Sequence, residues 1–407
     1  MERPGVLEQS NIEFVGYHDL NDRPGFKMGI QQAAGRWYLY VAHLWHRGWS
    51  VLDVTEPTKP QFRNFIPGPD NTWTIQVQVA DGKMITALEK PVEGWGVESG
   101  LPFDEGALIW DVASDPMAPI LLGKYETGGT GTHRNFYAGG RYAYMAGNPA
   151  GFYGNILIIV DLSDPAHPVE VSRWWWPGQN VAAGENPEFQ SYFHGPAYVV
   201  GDRAYLSYGQ AGMVILDVSD VRQPKFISRL SFGNLGSFLG CHSAVPIPER
   251  QLVIVNSEAI LEGDGDALNY VFVVSVANAE RPKVISSFTA PVPRKGLPYK
   301  NYYEKGGRFG PHNQHHDQGH PDLQQTANTI YLTYFNAGLR IYQIDDPFTP
   351  QETGCFVPDS PVTRQGVLPS ILVPQFEDVL VDSRGYAYCT DKNFGLFILK
   401  HTENSLQ

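Results

Sequence analysis

The chain has 407 residues, enough for two average domains or one large repetitive one. Hydrophobic residues make up 42% and charged residues 18%, a globular balance that excludes a disordered chain. A net charge of −13 argues against nucleic acid and anionic membranes as partners.

No apolar run approaches the ~20 residues that a membrane-spanning helix needs. The opening "MERPGVLEQSNIEF" lacks the basic and apolar segments of a secretory signal. Cys241, Cys355 and Cys389 are odd in number and far apart, which argues against a disulfide framework. A cytoplasmic, reducing compartment is the expectation. Aromatic residues at 13%, with 42 Gly and 31 Pro, predict many short strands joined by tight turns.

In chain order, the first predicted element is "NIEFVGYHDL" (11–20). It matches a later segment, "PKFISRLSFG" (224–233), that reads as the outer strand of a repeat. Six copies of that repeat follow: "WSVLDVTEPTKP" (49–60), "ALIWDVASDPMAP" (107–119), "LIIVDLSDPAHP" (157–168), "MVILDVSDVRQP" (213–224), "VFVVSVANAERP" (271–282) and "LRIYQIDDPFTP" (339–350). A seventh, degraded copy is "FGLFILKHT" (394–402). Each is an apolar strand running into a turn. Asp and Ser side chains bond nearby amides there, and a proline blocks continuation of the ladder. The closing prolines, Pro60 to Pro350, recur every 49 to 68 residues. A short strand follows each turn, and a Gly–aromatic strand such as "DRAYLSYG" precedes each repeat.

Four strands repeated seven times predict an all-β fold, a seven-bladed β-propeller forming one domain over 1–407. The expected blades are 21–68, 69–128, 129–179, 180–236, 237–292, 308–358 and 370–402, the last completed by the N-terminal strand 11–18. Three polar, aromatic insertions, 89–106, 177–192 and 290–310, are expected to cap one face.

The strand-plus-turn motif resembles the LVIVD-repeat family of propeller proteins. Further stretches carry the resemblance, among them "HGPAYVVGDRAYLSYGQAGMVILDVSD" (194–220) and "HSAVPIPERQLVIVNSE" (242–258). It implies the propeller and little about a reaction. Blade five departs from the repeat, since "VSVANAERP" lacks the Asp-Pro turn, and blade seven has no turn of this kind.

Aligning the blades on the turn between their first two strands puts His133 and His194 at one phase, seven residues before Gly140 and Gly201. His242 opens the corresponding strand of blade five, and Glu377 takes the place in blade seven. Blade six offers "GPHNQHHDQGH" (310–320), where an insertion leaves His312 preferred, His315 next, and His320 favoured by an ungapped alignment. His316 and His320 otherwise read as loop residues. A transition metal on the propeller axis is therefore expected, held by His133, His194, His242 and His312 or His315, with Glu377 at the same level. Imidazole donors favour iron, with zinc, manganese or copper as alternatives, over calcium. The arrangement resembles the four-histidine iron centre of carotenoid-cleaving propellers, although the motifs differ.

The ends of the second strands supply His43, Glu89, Tyr208 and Glu258. The two glutamates are expected behind the metal-bound imidazoles, and His43 and Tyr208 beside them. Arg134 is a candidate for binding a substrate carboxylate. Trp174, Trp175 and Trp176 read as packing between blades, and Cys241 as a small buried side chain. No nucleophile elbow, phosphate loop or dinucleotide fingerprint is present. The expectation is a metalloenzyme acting on a small organic substrate, with oxidative iron chemistry ahead of a hydrolase, lactonase or lyase. A non-catalytic protein-binding propeller is the alternative. An oligomer is compatible with either.

Overall fold

The turns fold as their side chains dictate. Asp161 and Asp217, each ending an apolar strand, accept the N–H groups of Ser163 and Ser219 at 2.8 Å. The second acid of each turn accepts again: Asp164 from Ala166 and Asp220 from Arg222, both at 3.1 Å. In blade five Asn278 replaces the Asp and caps Glu280 in the same way at 3.0 Å.

The computed structural model describes residues 3–95, 100–187, 192–266 and 268–402. They form seven four-stranded antiparallel sheets in a ring, with almost no helix. Among the described residues no helix is long and apolar enough to cross a membrane. Blade four is representative: Ala197–Val200 lies innermost, then Arg203–Ser207, Met213–Asp217 and Lys225–Leu230 at the rim. Seven apolar clusters fill the spaces between successive blades; one joins Leu157 and Ile159 of blade three to Leu206 and Val214 of blade four. Each middle strand is thus covered on both faces. That explains why these segments read as continuous apolar runs and not as an alternation.

All seven blades share a register shift between the third and outermost strands. The residue just past the shift is Asn64, Gly123, Ser172, Ser228, Ser286, Gly354 or Gly16. In every blade but the sixth, where Gly354 lies against Ser10 and His401 instead, it meets the repeated turn of the next blade. The hydroxyls of Ser228 and Ser286 donate to the carbonyls of Ala279 and Pro347 at 2.6 Å, and Ser172 donates to Val221. At Gly16 and Gly123 the neighbouring carbonyl, of Pro57 or Pro165, sits where a Cβ would stand, 2.0 and 2.3 Å away. The repeated turn is therefore a clip between blades.

Ring closure uses two N-terminal strands. Strand β2, Ile12–His18, pairs with Gly395–His401 and supplies the fourth strand of blade seven, as expected. Strand β1, Val6–Ser10, pairs with Gln351–Pro358 on the rim of blade six. The sequence does not announce that second use. The innermost position of blade six is taken by an irregular stretch, so β1 brings its sheet to four strands. His312 N–H bonds Thr333 O at 2.9 Å, Thr333 N–H bonds Asn313 O at 2.9 Å, and His315 N–H bonds Tyr331 O at 3.0 Å.

Candidate metal centre

Four histidines from consecutive blades stand side by side at one end of the channel. Main-chain bonds to second strands hold three of them in phase: His133 N–H to Ala146 O (2.8 Å), His194 N–H to Ser207 O (3.0 Å) and His312 N–H to Thr333 O (2.9 Å). His242 lies within the inner strand Leu239–Ile247. Ring centroids are 4.8 Å apart for His133–His194, 4.8 Å for His194–His242 and 4.7 Å for His242–His312. A metal about 2.1 Å from each ring nitrogen would put the centroids of two ligands at right angles roughly 4.5 Å apart.

The edges of the rings are distinguishable. His133 Nδ1 lies 2.6 Å from Glu89 Oε2, and His312 Nδ1 lies 2.6 Å from the main-chain oxygen of Glu377. Both partners accept, so both imidazoles donate from Nδ1, and burial keeps His312 neutral with a lone pair on Nε2. His242 Nδ1 exchanges a hydrogen bond with Ser243 Oγ at 3.0 Å. On the Nε2 side stands one carboxylate. Glu258 Oε2 is 3.4 Å from His242 Nε2 and 3.7 Å from His194 Nε2, and its Oε1 is 3.6 Å from His312 Nε2. These separations exceed hydrogen-bond lengths. His194, His242 and Glu258 bring one donor atom each within 4.8 Å of one another.

Burial pushes the pKa of His194, His242 and His312 well below the ordinary imidazole value, reinforced by neighbouring positive groups including Arg134. Burial also raises that of Glu258, against the pull of Arg308. On His312, whose proton sits on Nδ1, the Nε2 lone pair faces a carboxylate oxygen, and a cation between them would turn that repulsion into attraction. The donor chemistry thus fits a metal.

Glu258 is consequently not behind the imidazoles, as its strand-end position suggested; it faces their Nε2 atoms. Glu89 does stand behind His133. Glu377 meets the other edge of one ring: its Oε2 is 3.6 Å from His312 Nδ1, while Glu258 faces the Nε2 atom. Three other candidates lie apart with both hydrogen-bonding edges occupied. His43 is fully buried between Pro24 O and Ser50 Oγ, each at 2.7 Å. His315 binds Gln324 O at 2.7 Å and accepts the Val381 N–H at 3.1 Å. The Tyr208 hydroxyl donates to Gln179 and accepts the Trp176 N–H at 2.9 Å, while its ring packs edge-on to Trp174. Arg134 is a strut. It donates to the carbonyls of Gly195 (2.7 Å) and His242, to Ser243 Oγ (3.0 Å) and to Asn313 Oδ1 (2.9 Å), which leaves little for a substrate.

Two cations absent from the sequence-based candidates complete the floor. Arg308 donates to Glu258 Oε1 at 2.9 Å and to Ala259 O at 3.0 Å, and lies over the Phe335 ring at 3.9 Å. Lys392 Nζ is 3.0 Å from Glu377 Oε1, fully buried, and its pKa is lowered by burial to about 8. The only signal for Arg308 was its place at the end of the insertion 290–310, outside any repeat register.

Above the histidines lies a cavity of about 610 Å³. All three long insertions reach it, through Trp95, Tyr192 and Arg308.

Comparison with known proteins agrees with this architecture. The sequence profile of the LVIVD repeat matches residues 131–174 and 198–231, in blades three and four. No curated protein matches the chain. Among solved structures, one titled "YCF48 bound to D1 peptide" is similar with a TM-score of 0.55 at 9% identity, covering 99% of this chain and 100% of that one. The crystal structure of Saccharomyces cerevisiae Sqt1 is similar with a TM-score of 0.50 at 9% identity, covering 98% and 100%. At such identity the likeness is one of fold. The chain is a seven-bladed β-propeller that carries LVIVD repeats.

Proposed function

We propose that the cluster is a transition-metal centre and that the chain is a metal-dependent enzyme acting on a small organic molecule. The observation that carries this reading is the convergence of three imidazole Nε2 atoms on the Glu258 carboxylate at 3.4 to 3.7 Å. His194, His242, His312 and Glu258 are the ligands, with His133 beside them. Nitrogen donors with one carboxylate suit iron, and next zinc, manganese or copper. A bound metal would supply Lewis-acid or redox chemistry at the cavity floor.

The protein's own groups prepare that floor. Glu89 and the Glu377 carbonyl orient His133 and His312. Arg308 steers Glu258 by its Oε1. Arg134 ties blades three to six together beneath the ligands. Oxidative chemistry heads the reading and hydrolysis or a lyase reaction follows. A second reading is a non-catalytic propeller whose cavity receives part of a partner, favoured by the structural neighbour solved with a bound peptide.

Elemental analysis of the purified protein separates the two. One equivalent of metal, lost in His194→Ala and His242→Ala variants that keep their β-sheet spectrum, supports the centre. Protein that is metal-free as purified, and stays so after incubation with Fe(II), Mn(II), Zn(II) and Cu(II), sinks it. Oxygen consumption by the loaded protein then distinguishes oxidative from hydrolytic chemistry.

A further inference from the structure

The cavity above the histidines has two kinds of wall. Its floor is polar and its sides are aromatic and aliphatic. Trp73 and Trp95 meet edge to face with centroids 5.7 Å apart. Phe26 touches the floor, 6.3 Å from His312, and Tyr192 does so 6.4 Å from His194. Leu44 and Ile260 fill in between.

Among the described lining residues almost every charge is already matched. Glu89 is bound to His133, Glu258 to Arg308, and Arg134 to four acceptors. Lys90 is exposed, and its ammonium lies 5.6 Å from the ring centroid of Phe103. An ionised ligand would shed its hydration shell here, and the charge left unmatched among the described lining residues, the Lys90 ammonium, is exposed to water. An apolar ligand would gain by burial against the indoles. A volume of about 610 Å³ falls in the range of sites that enclose drug-sized molecules.

We propose that this cavity takes an uncharged aromatic or polycyclic molecule carrying one polar group, with that group at the histidine–carboxylate floor and the ring system between Trp73 and Trp95. Only the role of the polar group rests on the metal reading; the preference for an uncharged ring system rests on the walls.

Equilibrium dialysis of the full-length protein against 2-naphthol, 2-naphthoate and glucose tests it, with metal content measured on the same samples. Expected are saturable binding of one equivalent of 2-naphthol, at least tenfold weaker binding of 2-naphthoate, and none of glucose. Trp95→Ala and Trp73→Leu should each weaken 2-naphthol binding at least tenfold, with metal content unchanged. If buried Trp73→Leu does not fold, the partly exposed Trp95→Ala variant decides. Naphthoate binding as tightly as naphthol, glucose competing, or tryptophan variants binding like the parent would overturn the proposal. Trp-dependent naphthol binding by protein that takes up none of the added metals would retain it and refute the metal centre. A metal-loaded protein that ignores naphthol would do the reverse.

Discussion

Glu258 carries the chemistry that separates a metal centre from four histidines beside a channel. Its carboxylate faces the Nε2 atoms of His194, His242 and His312. Glu258→Gln keeps the shape and removes the charge, so metal affinity measured by competition with a chelator should fall at least tenfold. Glu89→Gln acts through His133 Nδ1, and its expected loss is about 10- to 100-fold, in line with carboxylates that orient metal-bound imidazoles. If both variants hold metal like the parent, neither carboxylate belongs to the site. His43 behaves oppositely: it is a buried, neutral strut. Burial depresses its pKa to about 3, so the unfolded chain binds a proton at about pH 6.5 that the folded chain refuses until far lower. Stability due to this group is complete above pH 6.5 and is lost as pH falls toward 3. His43→Gln should therefore flatten unfolding free energy against pH between 6 and 4, by up to about 1.4 kcal/mol per unit. An unchanged slope would mean that His43 is not buried neutral. At this scale the sequence was readable where repeat phase applied. His133, His194 and His242 share that phase, and His312 fell within a three-residue ambiguity that an irregular inner stretch creates. The direction in which Glu258 points was not readable, because a strand end specifies a level in the channel and not a side of an imidazole. Arg308 had no register at all.

The Asp-Pro turns were legible as turns, since Asp and Pro dictate local backbone directly. Their partner was not, because it lies about fifty residues upstream on the outer strand of the preceding blade. Only the register shift discloses it, and a shift of pairing leaves no mark on a strand of alternating composition. The position it exposes is Ser, Asn or Gly in all seven blades. A small polar side chain reaches the turn carbonyl, and glycine lets that carbonyl approach the backbone. Ser228 is buried and donates to Ala279 O at 2.6 Å. Ser228→Ala leaves that carbonyl without its donor, at a cost of about 1–3 kcal/mol. Ser286→Ala, on a different interface, should cost a similar amount, and the two should add. Chemical denaturation measures both. Substitutions without effect would mean that water satisfies the turn carbonyls and that the clip is packing alone.

A propeller has no edge only if its ring is closed, and here closure uses two strands with unequal duties. Strand β2 completes blade seven against Gly395–His401, covering Phe397 and Leu399 with Phe14 and Ile12. Strand β1 is an addition to blade six. It brings Glu8, 4% exposed, to the Tyr302 hydroxyl, which in turn accepts from Arg340 at 2.5 Å. The two deletions should therefore differ in kind. Removing residues 1–10 strips one rim strand and the Glu8 carboxylate, yet leaves blade six with three strands and its irregular inner stretch and the other six blades complete. That protein should melt at a lower temperature in a single transition and bind the proposed metal as the parent does. Removing residues 1–18 leaves blade seven with three strands and bares the apolar face that β2 covers. The ring should then open between blades seven and one, where Leu20 and Ile398 pack with Met28 and Leu39. Loss of a cooperative transition or aggregation is expected, together with loss of metal, because the floor draws on Glu377 and Lys392 of the last blade. Calorimetry and metal analysis of the two truncations read these outcomes. Equal damage from both would show that β1, and not β2 alone, is required to hold the ring shut.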